Sequence, residues 1–392
     1  MPAIALLVLL LTSLAPEVLA VTTSTTNAST TKPPTCLEGG TSDSSVPPRV
    51  SVAIVKPIFT STPYSQYMYG SFYAFYKKYH ASAGNITTDL NWLNTSVKSG
   101  MTFESGWGHS FPLYSFLASP AARNCGLVLG KNLLVVTDIN VTQGALFNSD
   151  GSRRFDAIVI GHEEYVTQAE YDQFRLFVAS GGGLIDMSAN AFYARVSYNP
   201  TSMFETFVMG HGGYAFNGHT AWHTKAAPFT RNSSGWFGSF YCCFLRFKFN
   251  GAVVNGSNLI GGMLEKYFGS TVFPYYSSHE ENAIGNFTQT SIVATFVRQS
   301  GLVVASYIHR YGRGAVFCLC VFGEDIVNYD PSIQLFLVAS VAASLTGGGV
   351  LPTQPQGIYL TLLPIAAAAG LTTAAFVVIV LRRHRKEVRR TR

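Results

Sequence analysis

Between Val50 and Met187 short apolar runs alternate with segments of helical spacing, and this alternation narrows the fold more than any other feature of the chain. Strands are expected at Val50–Val55, Leu133–Thr137, Asp156–Ile160 and Leu184–Met187. Helices are expected at Ser65–Tyr79, where the aromatic face reads as core packing, at Leu113–Leu117 and at Gln168–Ala179. In the last of these, Tyr171, Phe174, Phe177 and Val178 share one side, and Gly181–Gly183 stop the helix. Runs this short and this apolar are buried on both faces, which predicts an α/β fold with a mostly parallel sheet covered by helices on each side. Ala191–Ser270 breaks the rhythm: it is rich in Gly, aromatic residues and His, and reads as an insertion or long lid. Strands resume at Ser291–Val297 and Gly301–Ile308. Tyr311–Gly314 reads as a tight turn, Ala315–Val321 as a strand and Ser332–Leu345 as a closing helix.

The ends predict a membrane topology. Ile4–Leu14 is apolar but too short to span a bilayer, and Val18–Ala20 offer a cleavage site before Val21. Residues 1–20 therefore read as a signal peptide. Residues 21–48 are dominated by Thr, Ser and Pro and read as an unfolded stalk. Ile358–Leu381 has no charged residue and is long enough to cross about 30 Å of hydrocarbon. The tail, 382–392, then carries seven basic residues and one acid, a balance of +6 that equals the net charge of the whole chain. The basic balance is thus a signal for a cytoplasmic tail, and nothing points to nucleic acid. The globular part, 49–350, is placed outside the cell, as a single-pass membrane glycoprotein whose surface partner or small-molecule ligand is unnamed. Sequons at Asn27, Asn85, Asn94, Asn140, Asn232, Asn255 and Asn286 agree with that, as do six cysteines on the same side. Cys318 and Cys320 alternate with apolar residues and read as one face of a buried strand.

Five ordered pieces carry a family resemblance: Phe116-Leu117, Val136-Thr137-Asp138-Ile139-Asn140, Gly161-His162-Glu163-Glu164-Tyr165, Gly181-Gly182-Gly183-Leu184 and Asn190-Ala191-Phe192-Tyr193. In this order, the stretch Leu113–Tyr198 resembles the C-terminal domain of the large (beta) subunit of N,N-dimethylformamidase. The Tyr311–Gly314 turn and the closing helix resemble the end of the same fold. The resemblance implies a class I glutamine-amidotransferase-like, flavodoxin-like sandwich. It also implies, for some members, hydrolysis of small amides with a mononuclear iron held by tyrosines and a glutamate; Tyr165 is the best match to such a tyrosine. A Cys-type glutaminase is set aside. The strand Leu184–Met187 leads into Ser188-Ala189-Asn190, without the Cys or the flanking glycines of a nucleophile elbow.

The candidate site follows the strand that ends at Ile160. His162, Glu163 and Glu164 offer a general base or hard ligands there, and Asn190 leaves the adjacent strand at comparable height. The competing use of this block is helix capping, since Thr167 and Glu170 make a capping box. His211, His219 and His223 read as loop histidines. The cluster His279, Glu280 and Glu281 is either a solvated loop or, through Glu281, the source of a glutamate ligand. Two functions stand: a metal-dependent hydrolase of a C–N bond, or a non-catalytic surface module that binds a ligand or protein.

Overall fold

The computed structural model describes residues 51–66, 87–91, 106–210, 235–244, 249–269, 272–277, 280–284, 288–298, 301–321 and 323–345. The expected signal, stalk, spanning segment and basic tail lie outside these, as do 67–86 and 211–234, which hold most of the expected Tyr-rich helix and His211, His219 and His223. Among the described residues no helix is long and apolar enough to cross a membrane.

The chain runs from β1 (Val52–Lys56) into α1 (Ile58–Gln66). The short β2 (Thr87–Asp89), a 3-10 turn at Gly108–Ser110, α2 (Phe111–Leu117) and α3 (Pro120–Asn124) come next. β3 (Leu133–Thr137), α4 (Asp138–Thr142), β4 (Ala157–Ile160), β5 (Tyr165–Thr167), α5 (Gln168–Ala179) and β6 (Gly183–Asp186) complete the alternating part. Then follow β7 (Ala194–Asn199), β8 (Phe204–Gly210), β9 (Ser239–Phe244), β10 (Phe249–Val254), α6 (Leu259–Phe268), β11 (Val272–Ser277) and β12 (Glu280–Ile284). β13 (Thr290–Arg298), β14 (Gly301–Tyr311), β15 (Gly314–Leu319), α7 (Gly323–Ile326) and α8 (Pro331–Leu345) end it.

Nine strands form one sheet in the order β11-β10-β13-β14-β15-β6-β4-β1-β3. β15, β6, β4, β1 and β3 are parallel neighbours, while β11, β10, β13, β14 and β15 are joined antiparallel. The expectation of a mostly parallel sheet therefore holds for one half and is corrected for the other. The physical reason is connection length: β13, β14 and β15 are joined by hairpins, and hairpins can only pair strands antiparallel. A second correction concerns the strands read at Leu133–Thr137 and Asp156–Ile160: their succession in the chain predicts that they lie side by side, and β3 and β4 do not. β1 lies between them, its Val52–Ile54 in register with both Leu133–Val135 and Ala157–Val159.

Side chains of β1 alternate between two cores, as the pleat requires. Val52 and Ile54 pack with Leu113, Phe116, Ile333 and Phe336 of α2 and α8. Ala53 and Val55 pack with Tyr171, Phe174, Phe177 and Val178 of α5. Cys318 and Cys320 are both buried in this second core as reduced thiols, on one face as read from the sequence, with Cys318 Sγ donating to Asp186 Oδ2 at 3.3 Å. α5 starts at the expected capping box: Thr167 Oγ1 accepts from Glu170 N at 3.1 Å, and Glu170 Oε2 accepts from Thr167 N at 3.4 Å.

The stretch read as a lid is divided among three sheets, β9 pairing with β12 in a two-stranded ribbon. β7 and β8 join β2 and β5 in a four-stranded sheet of order β2-β8-β7-β5. β10 and α6 belong to the large sheet, because Ala252, Val254, Ile260 and Leu264 fill the same core as α8.

Candidate functional site

Chain order explains where a site forms. The sequence leaves β1, builds β3 on one side, and crosses to β4 on the other, so the strand order reverses around β1. In open α/β sheets the crevice beyond the carboxyl ends at such a reversal is where ligands sit. Here that crevice receives α1, which follows β1, and the segment His162–Glu164, which follows β4.

The segment is fixed through its backbone. Gly161 is required: a Cβ there would lie 2.4 Å from Ser110 Oγ. Its absence lets Ser110 Oγ approach and accept from His162 N at 2.9 Å. Phe192 N donates to Glu163 O at 2.8 Å, and Tyr193 N and Ala194 N donate to Glu164 O at 2.9 and 3.0 Å. Phe192 reaches this position at φ 58°, a left-handed conformation that costs a non-glycine residue about 1–2 kcal/mol.

α1 is clipped to the same region from the other side. Phe59 N donates to Asp138 Oδ2 at 2.6 Å, and Tyr165 N donates to Thr60 Oγ1 at 3.0 Å. These bonds set Tyr64 over the site. Tyr64 Oη donates to Glu164 Oε2. The same Oε2 lies 3.1 Å from His162 Nε2, and Asn190 Nδ2 lies 3.4 Å from that nitrogen. The two contacts of Nε2 require different proton positions: a protonated Nε2 donates to Glu164, and a bare one accepts from Asn190. Phenol, carboxyl and imidazole thus form one proton-sharing cluster. The His162 and Glu164 side chains are 4% and 1% exposed, so the cluster is shielded from bulk water.

Its open side is a small cleft lined by Thr60, Ser61, Tyr64, Gly108, His109 and His162. The His109 ring stands edge-on to those of His162 and Tyr64, with centroids 5.2 and 5.6 Å apart, and His109 Nδ1 is 3.6 Å from Asp325 Oδ1.

Glu163 serves a different neighbourhood. It is fully buried, and burial first, then the charges of Asp138 and Asp186, hold its carboxyl well above the usual range; the adjacent Glu170 carboxyl works the other way. Its own field, after burial, helps raise Glu170. Tyr165 is fully buried in the core formed by Phe59, Leu90, Ala194, Val196 and Phe207, with its ring stacked on Tyr64 at 6.1 Å. Glu281 lies in a two-stranded ribbon opposite Cys243, and His279 is outside the described residues.

The structure therefore joins His162, Glu164 and Asn190, turns Glu163 inward, and puts Tyr64 where the sequence offered Tyr165. Tyr64 and His109 stand in segments with no motif; only the crossover geometry brings them to His162. Among the described residues no three His, Cys, Asp or Glu side chains converge on a metal position, so any hard-ligand set here depends on the phenol.

The family model for the N,N-dimethylformamidase beta subunit-like C-terminal domain matches residues 28–254, more than half of the chain. The chain belongs to this family. The match includes His162, Glu164, Tyr64 and Asn190 of the dimethylformamidase-like domain and ends at β10, so the β13–β15 hairpins and α8 lie beyond it. No curated protein matches the chain. Among solved structures, a β-galactosidase from Rahnella sp. R3 is similar at 12% identity and TM-score 0.39, over 76% of this chain and 31% of that one. A ThuA-like protein from Bacteroides uniformis ATCC 8492 is similar at 10% identity and TM-score 0.36, over 75% of this chain and 90% of that one. The chain thus spans about a third of the galactosidase's length.

Proposed function

We propose that the protein is a cell-surface, single-pass membrane glycoprotein whose dimethylformamidase-like domain hydrolyses the C–N bond of a small amide with the help of a hard metal ion. The observation that carries the reading is the meeting of Tyr64, Glu164 and His162 at the crevice beyond β1 and β4. A phenol and a carboxylate are hard oxygen donors of the kind that suit an iron of higher charge. Tyr64 and Glu164 would hold it. A metal so held would supply Lewis-acid polarisation of an amide carbonyl and acidification of a water. The chain's own contributions follow from position. His162, set between Glu164 and Asn190, takes a proton at Nε2 in one arrangement and gives it up in the other, which suits a general base that later acts as an acid. Burial of the cluster keeps competing water away and strengthens its internal electrostatics. The cleft beside the cluster is walled by Thr60, Ser61 and His109, whose hydroxyls and imidazole are the polar groups nearest to it.

The surface location is supported by the uncharged Ile358–Leu381 with its basic tail, by the sequons, and by Cys125, which is disulfide-bonded. The test is metal analysis of the purified full chain, with dimethylamine release from N,N-dimethylformamide as the assay. Stoichiometric iron that is lost in Tyr64→Phe and in Glu164→Gln supports the reading. Absence of metal, or full retention in both variants, overturns the hydrolase and leaves a ligand-binding module.

A further inference from the structure

The four-stranded sheet buries one face against α1, and two polar side chains on that face stand among aliphatic and aromatic neighbours. Glu205 of β8 and Thr88 of β2 are direct cross-strand partners, so their side chains share the face. Both are fully buried. Both oxygens of Glu205 and the hydroxyl of Thr88 meet no hydrogen-bond partner, including one another. Their surroundings are Phe59, Leu90, Val196 and Phe207, which offer only hydrocarbon and ring surface, and Tyr165, whose phenol carries the one hydroxyl among them. A carboxyl and a hydroxyl left bare in such a place cost several kcal/mol together unless a further group satisfies them. A third oxygen group borders the same core: Asp138, also fully buried at the start of α4, whose Oδ2 accepts from the backbone N of Phe59, a residue of that core, and whose charge bears on Glu205.

We propose that Glu205, Thr88 and Asp138 are ligands of a buried hard divalent cation of the calcium type, distinct from the Tyr64–Glu164 cluster. The chemistry fits in three ways. Every donor is oxygen, which selects a hard cation over zinc or copper. Two carboxylates balance a double charge, which removes the mutual repulsion of Glu205 and Asp138. Asp138 Oδ1 and Oδ2 already accept from Ile139 N at 2.7 Å and Phe59 N at 2.6 Å, so this carboxylate is held rigid with lone pairs to spare. Other charges around Asp138 are Lys56, which opposes a cation, and Glu163 and Glu170, which favour one. Calcium takes six to eight oxygens, the remainder coming from backbone carbonyls and water. Such an ion would tie the small sheet to α1 and to the end of β3, and through α1 would steady Tyr64.

The full chain, freed of metal with a chelator, is titrated with calcium, magnesium and sodium at constant ionic strength while thermal unfolding is followed. Calcium is expected to raise Tm saturably by several degrees, with sodium inactive. Glu205→Gln should abolish that rise, and Thr88→Val, which keeps the shape of the side chain, should weaken the apparent calcium affinity about 10-fold, as losses close to a metal do. If Glu205→Gln fails to fold, Thr88→Val and terbium luminescence sensitised by nearby tyrosines decide. The proposal is overturned if calcium gives no rise beyond sodium, or if the rise persists unchanged in the variants; Glu205 is then a neutral buried acid. None of these readings depends on amide hydrolysis, so this site and the hydrolase stand or fall separately.

Discussion

His309 shows how a single side chain sets an acid limit on the fold. It is fully buried in β14, with Nδ1 2.8 Å from Thr290 Oγ1, and burial pushes its imidazole down to about 4, against a weaker upward pull from Gly235. The folded value lies below that of the unfolded chain, about 6.5. Its contribution to stability is therefore intact above about pH 6.5 and is lost as pH falls towards 4, with a slope of about 1.4 kcal/mol per pH unit. His309→Gln should flatten this acid limb in a series of urea melts, and an unchanged slope would remove His309 as its source. Buried Asp186 and Glu324 act in the opposite sense. Burial is the main cause of their raised values, so their contribution is full at acid pH and is lost as pH rises through those values. The residue scale also carries the site. Gly161→Ala would drive a methyl into Ser110 Oγ and displace His162, costing about 1–3 kcal/mol by overpacking. Chemical denaturation measures that cost, and metal analysis of the same variant should show the proposed Tyr64–Glu164 metal site depleted.

Elements are held at their ends. α5 depends on Thr167, whose hydroxyl closes the capping box and also lies 2.8 Å from Thr142 Oγ1 of α4. Thr167→Ala is expected to cost about 1 kcal/mol, seen as a lower urea midpoint with an unchanged m-value. The cap and the site need not compete for one residue: β5 ends at the cap, Thr167, while His162 and Glu164 act before β5 begins at Tyr165. The β14–β15 hairpin docks on the other end of α5. Arg313 N donates to Ala179 O at 3.1 Å, and Gly314 approaches so closely that a Cβ would lie 2.2 Å from Gly182 O. Because those neighbours are backbone, they cannot yield as a side chain does. Gly314→Ala should destabilise by about 1–3 kcal/mol or more, and a variant within 0.5 kcal/mol of the parent would show that the hairpin is not pinned there.

The whole molecule unites a folded domain with a proposed membrane topology. Protease added to intact cells should remove the region between Pro47 and Gln356 and spare an epitope on the basic tail; protection of that region would reverse the orientation. Glycan occupancy should follow accessibility. Asn140 is exposed on α4, with Oδ1 engaged by Thr137 and the amide nitrogen clear of that bond. Asn255 donates through Nδ2 to Ile292 O at 3.2 Å, so a glycan there would break a contact of the sheet. Asn140→Gln should therefore remove one glycosidase-sensitive mobility step, and Asn255→Gln none.

Alternation of apolar runs determined most of the elements. β3 and α5 fall at Leu133–Thr137 and Gln168–Ala179 as read, because local periodicity, a cap and a run of glycines all act within a few residues. The block from His162 to Tyr165 was legible as a site by its place after a strand. Which of its side chains work together was not. Strand order put β1 between β3 and β4, and with it α1, so that Tyr64, distant in sequence, meets Glu164 while Tyr165 packs behind it. Nor does pattern tell a parallel from an antiparallel partner when a strand is apolar on both faces, which is why the hairpin half of the sheet was misjudged. Periodicity records which face of a segment is buried. What it is buried against is decided by the packing of segments far apart in the chain, where hydrogen bonds such as Phe59 to Asp138 and His162 to Ser110 select one register and one neighbour.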